Sequence, residues 1–368
     1  MAISKLSVFS FRNHEKKEIV FSEGITVIWG ENGSGKTSLL EAIYILSLGK
    51  SFKTHKQSSI IKQGCSNYII KGDFSSNNLK NNIAIQTDIK NKKTIKINGK
   101  ETKNRKELIG RNNVVILSPE DQIITKGGPK ERRNFFDRLF SIINKDYLDT
   151  LQKFNRALKQ RNALLNSNKN FKEEHCAPWE DKLSTFATKL WEKRRKCFYE
   201  YTKSLDNVVL HYHKDLTLSV FYNEKNYEKD EYKKLLKKTR ERDFFLGITS
   251  KGPHRDNINV FWGDKNIRDC GSQGEHKIAL ILLKLAEINL IKQKTGEYPI
   301  ILLDDVFAKL DLVRSEKLVS YLNSIKNEEK KPVQTIITTT DIVNVEKSGL
   351  ILDVLGVETH KLDFEWNT

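Results

Sequence analysis

The chain has 368 residues and 38% hydrophobic content, enough for one large domain or two to three lobes built around real cores without staples. Its 64 basic and 47 acidic residues leave a formal charge of +17, which favours a polyanionic partner, nucleic acid ahead of anionic membrane; Lys- and Asn-rich stretches such as Lys90-Asn91-Lys92-Lys93 and Lys326-Asn327-Glu328-Glu329-Lys330-Lys331 leave a plain composition bias open as well. Cys65, Cys176, Cys197 and Cys270 are scattered without a Cys-x-x-Cys pair, which argues against a zinc site or a disulfide framework; with no apolar leader in the first residues and Lys284 and Glu287 interrupting 278–291, a soluble cytoplasmic protein without a membrane partner is expected.

In chain order, the first strong signal is an apolar run over 25–29, which predicts a buried parallel strand. It is followed by Gly30-Glu31-Asn32-Gly33-Ser34-Gly35-Lys36-Thr37, the Gly-x4-Gly-Lys-Thr spacing of a phosphate-binding loop. Leu39, Leu40, Ile43 and Leu46 then recur at helical spacing up to Gly49. Strand, loop and helix in this order predict a nucleoside triphosphate site. The loop's backbone N–H groups converge on phosphate oxygens, Lys36 reaches the β and γ phosphates, and the Thr37 hydroxyl ligates Mg²⁺. Residues 60–74 and 83–97 alternate as β-hairpins do, one turning near Asn98-Gly99, so this half reads as α/β. From Pro129 to about Leu210 the pattern becomes helical. Leu148, Leu151, Phe154 and Leu158 mark one stripe, Trp179, Leu183, Phe186 and Leu190 another, with the polar turn Asn166-Ser167-Asn168-Lys169-Asn170 between two antiparallel helices. Strands return over 216–222 and 248–262, and a final α/β stretch begins at Gly271, leaving no room for a long coiled-coil arm.

Just before the last strands, Gly271-Ser272-Gln273-Gly274-Glu275 opens an apolar helix with capping-box spacing between Ser272 and Glu275. The apolar run Pro299 to Leu303 ends in Asp304 and Asp305, the form of a Walker B segment. Asp304 is the expected Mg²⁺ partner, and Asp305 sits where an acid orients or deprotonates the attacking water. Most of the chain separates the two nucleotide motifs, so an ATPase head split by a large helical insertion is expected. In that setting the Ser272-Gln273-Gly274 turn resembles the signature motif of ABC-type ATPases, which touches the γ phosphate held by the other subunit; ATP then joins two copies into a homodimer. The expected domains are 1–115, the first part of the ATPase lobe; 116–290, a mainly helical lobe ending in the signature turn; and 291–368, the return to the ATPase lobe.

Taken together the chain resembles the RecF family nearly end to end. These are bacterial recombination and repair ATPases related to SMC heads but without their coiled-coil arm. The resemblance rests on Phe11-Arg12-Asn13, Gly49-Lys50-Ser51-Phe52-Lys53-Thr54, Ser118-Pro119-Glu120-Asp121, Gly127-Gly128-Pro129 with Arg132-Arg133-Asn134-Phe135-Phe136-Asp137, Gln160-Arg161-Asn162-Ala163-Leu164-Leu165, Gly252-Pro253-His254-Arg255-Asp256 and the Ser272-Gln273-Gly274 turn. The sequence departs from the family pattern at Lys309, where an acid is usual before Asp311, and at Thr125, where an aliphatic is usual. At Thr338-Thr339-Thr340-Asp341 it carries no switch His, such as many ABC ATPases have. The resemblance implies a weak, DNA-stimulated ATPase that uses ATP and Mg²⁺, with Asp311 in the D-loop role. It further implies an ATP-driven dimer that clamps DNA at gaps or single-strand/double-strand junctions without reading sequence, works with RecR and RecO, and assists recombinase loading and SOS induction.

Among the other candidates, Arg132 and Arg133 are placed to hold a phosphate or an acid across a dimer, or to form a solvated helix face. Gln122 is a candidate water-orienting or Mg²⁺-linked Gln. His254-Arg255-Asp256 reads as an ion-paired corner, His211-Tyr212-His213 has strand-like spacing, and Lys233-Lys234-Leu235-Leu236-Lys237-Lys238 is either a DNA contact or a solvated face. Transport-associated or defence ATPases are the alternatives. The first normally carries Leu-Ser-Gly-Gly-Gln in the signature, and the second needs a nuclease domain, for which about sixty residues after Asp305 are too few.

Overall fold

The computed structural model describes residues 1–54, 56–76, 79–102, 104–167, 173–223, 225–326, 332–350 and 357–363. The chain divides into two units, Met1–Asp121 with Glu287–Thr368, and Gln122–Ala286.

The first unit is α/β and holds two sheets. One is parallel, with strands in the order Val357–Leu362, Ile25–Gly30, Thr335–Thr339, Ile300–Asp304, Val114–Leu117. Every residue of the inner strands Ile300–Asp304 and Thr335–Thr339 and of the edge strand Val114–Leu117 is buried, as expected where a parallel sheet is covered on both sides. The other sheet is antiparallel, in the order His14–Val20, Ala2–Phe11, Asn67–Ser76, Leu79–Asp88, Lys93–Ile97, Lys100–Thr102. In Asn67–Ser76 and Leu79–Asp88 burial alternates along the strand, so this sheet buries one face. The helix Lys36–Leu48 packs against strands of both sheets, and its residues from Leu39 to Leu48 are all buried. A helix buried around its whole circumference has no polar face, and Glu41 is its one carboxylate inside.

The second unit is mainly helical. Lys145–Leu165 and the 40-residue helix Glu173–Tyr212 run antiparallel: Asp146 pairs with Lys193 near one end and Arg161 with Glu180 near the other. At about 1.5 Å per residue the longer helix spans roughly 60 Å. The expected stripes are present but incomplete. Leu148, Phe154, Leu183 and Leu190 are buried, whereas Trp179 and Phe186 are half-buried and Ser184, Ala187, Trp191 and Arg194 fill the seam beside them. Between these helices lies a fully buried ionic cluster in which Arg161 bonds Asp243 and Thr249 at 2.8 Å and Glu180 at 3.2 Å, and Arg240 bonds Glu180 at 2.7 Å. Such groups are tolerated in an interior only when every charge is paired. A three-stranded sheet, Lys265–Asn266, Ile258–Trp262, Leu218–Tyr222, completes the unit.

Three expectations are corrected here. His211 and Tyr212 end the long helix rather than forming a strand. The expected strand over 248–262 is confined to Ile258–Trp262, because the preceding residues turn through Gly252 and the short helix Pro253–Arg255. That over 60–74 begins only at Asn67. Of the polar turn, Asn168, Lys169 and Asn170 lie outside the described residues, as do Asn327 to Lys331 and the Lys309 side chain.

Candidate nucleotide site

The parallel sheet places both nucleotide motifs at the C-terminal ends of the two strands that flank Thr335–Thr339, where ligands of open α/β sheets bind. At Gly30 the backbone has φ 151°, and a Cβ there would sit 2.2 Å from the carbonyl oxygen of Leu362 on the adjoining strand, so only glycine lets the loop leave the sheet. Gly35 caps the helix with φ 92°, and a Cβ on it would lie 2.3 Å from His14 Nε2. Both neighbours hold the loop: Asn13 Nδ2 donates to Gly33 O at 2.9 Å, and His14 Nε2 lies 3.1 Å from Gly35 O, which requires the proton on that nitrogen.

Lys36 is buried and its ammonium donates to Gly30 O at 2.8 Å, Glu31 O at 2.6 Å and, more weakly, Ser34 Oγ at 3.4 Å. Burial lowers its pKa, opposed by the nearby charges of Asp305 and then Asp304. Thr37 Oγ1 donates to Asp304 Oδ1 at 2.7 Å, and Thr338 Oγ1 donates to the same oxygen at 2.8 Å. Asp304 is 3% exposed, and desolvation raises its pKa against the pull of those two hydroxyls. Asp305 follows with a left-handed backbone, φ 51°, held by its N–H donating to Thr338 O at 3.0 Å; its Oδ1 is buried without a hydrogen-bond partner. These residues surround a cavity of about 230 Å³ that also takes in Asn32, Lys53 and Thr340.

The arrangement suits a magnesium nucleotide. Thr37 and Asp304 offer the hard oxygen ligands that Mg²⁺ requires, the orphaned Asp305 oxygen is an acceptor waiting for a donor, and Lys36 already satisfies carbonyl oxygens of the loop as it would phosphate oxygens.

Sequence reasoning missed the support behind this cavity. Glu41, fully buried on the loop's own helix, accepts from Arg12 Nε at 2.8 Å, from Arg12 Nη2 at 2.6 Å and from Ser51 Oγ. Ser51 Oγ in turn accepts from the N–H groups of Lys53 at 2.9 Å and Thr54 at 3.0 Å. This chain of contacts carries Lys53 to the cavity wall. The signal was present as an acid isolated within an apolar helix, with an arginine in the first strand region.

A profile of the RecF/RecN/SMC N terminal domain matches residues 2–361. The DNA replication and repair protein RecF of Clostridium novyi is 36% identical over 360 residues, covering 94% of this chain and 95% of that protein. The chain belongs to the RecF family. RecF of Ruminiclostridium cellulolyticum is 37% identical over 369 residues, 96% of this chain and 95% of that protein. Among solved structures, the recombination mediator protein RecF-ATP of the RecFOR pathway superposes with a TM-score of 0.86 at 29% identity, covering 98% of this chain and 95% of its own. An SmcHead bound to the C-winged helix domain of ScpA gives 0.55 at 17% identity over 94% of this chain and 91% of its own, which establishes a shared head fold. The chain is therefore an α/β protein with the ABC-type head fold.

The remaining expected residues lie elsewhere. Ser272 and Glu275 form the capping box, Ser272 N donating to Glu275 Oε2 at 2.7 Å and Glu275 N to Ser272 Oγ at 3.2 Å, at the start of Gln273–Thr295 in the second unit. Ser272 and Gln273 are exposed and Gly274 is half-buried, so the turn is open to an incoming group. Asp311 caps Leu312–Ser324, accepting from Arg314 N at 3.0 Å, and is exposed. Gln122 opens the second unit and accepts from Lys126 at 2.9 Å. Arg132 does not reach outward: it is 3% exposed, and its guanidinium donates to Ile258 O at 2.5 Å and Gly127 O at 2.8 Å. Arg133 donates to Asp256 O at 2.6 Å, so both arginines brace their own unit. Asp256 is the ion-paired corner expected, bonded by Arg194 at 2.7 Å, Trp191 Nε1 at 2.9 Å and Tyr222 at 2.6 Å. Thr125, in an aliphatic's usual place, is buried with its hydroxyl donating to Gln122 O at 3.2 Å. No helix among the described residues is long and apolar enough to cross a membrane.

Proposed function

We propose that this RecF-family chain is an ATP-dependent DNA-binding protein of recombinational repair and replication-gap processing. Two copies close on ATP, and the closed dimer grips DNA. The observation that carries the nucleotide reading is the convergence of the Thr37 and Thr338 hydroxyls on one carboxylate oxygen of Asp304, in the same cavity as Lys36. The backbone of Gly30, Glu31, Asn32, Gly33, Ser34 and Gly35 binds the phosphates, and Lys36 offsets their charge. Thr37 and Asp304 hold Mg²⁺, which when bound neutralises phosphate charge and fixes the triphosphate's orientation. Asp305, with its unpartnered oxygen, accepts a proton from the attacking water or orients it. Ser272, Gln273, Gly274 and Asp311 act in trans on the nucleotide of the other copy, in keeping with the exposure of the Ser272 turn.

Hydrolysis is weak and stimulated by DNA; it serves as a switch that ends the closed state. In this reading residues 1–115 and 291–368 form the ATPase lobe and 116–290 the inserted lobe. Binding to gapped duplex or strand junctions proceeds through phosphates and is indifferent to sequence, as the +17 charge favours. RecR and RecO are the partners, with recombinase loading and SOS induction as the outcome, supported by the family's RecFOR-pathway member. Sedimentation of the full chain with gapped duplex, with and without ATP and at two salt concentrations, tests this. A nucleotide-dependent dimer with salt-sensitive DNA retention is expected. A monomer that ignores saturating nucleotide refutes the clamp, and unchanged ATP affinity in Lys36→Ala refutes the loop's role.

A further inference from the structure

The second unit contains a cavity of about 400 Å³ that the P-loop reading does not use, within the roughly 300–1,000 Å³ usual for small-ligand sites. Its apolar and aromatic lining is Leu235 and Tyr227, both half-buried, with the buried Trp191, whose ring centroid lies 5.6 Å from that of Tyr227. Lys225, Lys251 and Arg255 stand on its walls. All three are exposed, and their side chains make no hydrogen bond or ion pair with the described residues. Among the described residues of the lining the one carboxylate, Asp256, is already taken by Arg194, Trp191 and Tyr222, so their uncompensated charge is positive. Asn223 and Asn257 bring amide groups to the same walls, and the hydroxyl of Ser250 is buried there without a partner.

Each feature asks for a different part of one ligand. Unpaired cations ask for a phosphate, an aromatic lining for a planar ring, and free amides with a partnerless hydroxyl for heteroatoms on that ring's edge. We propose that this cavity binds one nucleoside monophosphate unit, either as a free nucleotide or as an unpaired nucleotide of a nucleic acid strand. A phosphotyrosine would satisfy the cations and the aromatic lining, but its phenyl ring offers nothing to Asn223, Asn257 or Ser250. The proposal does not rest on the P-loop.

The test uses the full chain carrying Lys36→Ala, so that the P-loop does not contribute, with dAMP as probe in saturation-transfer NMR and in a fluorescence titration. Binding is expected, weakened at least tenfold in the added triple variant Lys225→Ala/Lys251→Ala/Arg255→Ala and at least tenfold for deoxyadenosine, which lacks the phosphate. The three side chains are exposed and unpaired, so their removal leaves the unit folded. Displacement of dAMP by (dT)12 marks a strand nucleotide as the source, and failure to displace marks the free nucleotide. The proposal is overturned by absence of dAMP binding, by equal binding in the triple variant, or by O-phosphotyrosine competing as well as dAMP does.

Discussion

Replacing Glu41 by alanine should loosen the nucleotide cavity without touching it. The side chain is fully buried and accepts from two nitrogens of Arg12 and from Ser51, so the substitution removes a carboxylate and leaves three donors without their acceptor. Breaking one partner of a buried ion pair costs about 3–5 kcal/mol. The Arg12 side chain is 22% exposed and recovers some hydration, which places this part at the low end. Loss of one buried methylene adds about 0.8 kcal/mol, and an inward shift of water to the donors offsets some of the total. A local cost of about 3 kcal/mol results. Hydrogen exchange reads it directly: amide protection in Lys36–Leu48 should fall about a hundredfold, since 1.4 kcal/mol is about a factor of ten. Nucleotide affinity should fall with it, because Ser51 no longer anchors the N–H groups of Lys53 and Thr54. Protection within threefold of wild type would show that the Arg12–Glu41–Ser51 contacts are not what holds the loop.

Other substitutions separate roles from stability. Asp304→Asn keeps an acceptor for Thr37 and Thr338 while removing a desolvated charge. Because the folded state raises the Asp304 pKa, the unfolded chain loses that proton first as pH rises, so the ionised group costs stability at neutral pH; the ligand-free variant should melt no lower than wild type at pH 7, yet gain little from Mg-ATP in the same scan. A variant that gains as much as wild type would remove Asp304 from the metal site. Ser272→Arg should bind ATP as a monomer but fail to dimerise in sedimentation, and a normal dimer would rule out the signature turn acting in trans. His254 is held neutral, its pKa lowered by burial to about 4 while Nε2 meets Thr249 O at 2.8 Å. The unfolded chain protonates it first, so stability should decline as pH falls from about 6.5 to about 4, on the order of 2–3 kcal/mol in all. An imidazole titrating near 6.5 by NMR would contradict this.

The nucleotide motifs were legible because backbone geometry dictates them: only glycine fits at Gly30 and Gly35, and only an apolar strand can carry Asp304 through the buried sheet to its C-terminal end. The parallel and antiparallel sheets could likewise be told apart, since continuous burial and alternation leave different patterns. The buried charges could not be read. Arg161, Glu180, Arg194 and Glu41 occupy seam positions where sequence alone suggests solvent, and they are inside only because partners from distant segments meet them. His211-Tyr212-His213 misled for a simpler reason: three residues cannot distinguish a period of 2 from one of 3.6. Arg132 and Arg133 were read as surface cations because nothing in the sequence reveals that backbone carbonyls of Ile258, Gly127 and Asp256 await them.

The strand that launches the P-loop has its two neighbours more than 300 residues further along the chain, at Thr335–Thr339 and Val357–Leu362. A ribosome adding about 5–20 residues per second therefore exposes the loop for tens of seconds before the edges it needs have been made. During synthesis the nascent protein has the letters of a nucleotide site but no platform to hold them in shape, so competence to take up triphosphate arrives late and all at once. Over that interval the launching strand, apolar and buried in the finished sheet, lacks the partners that cover it.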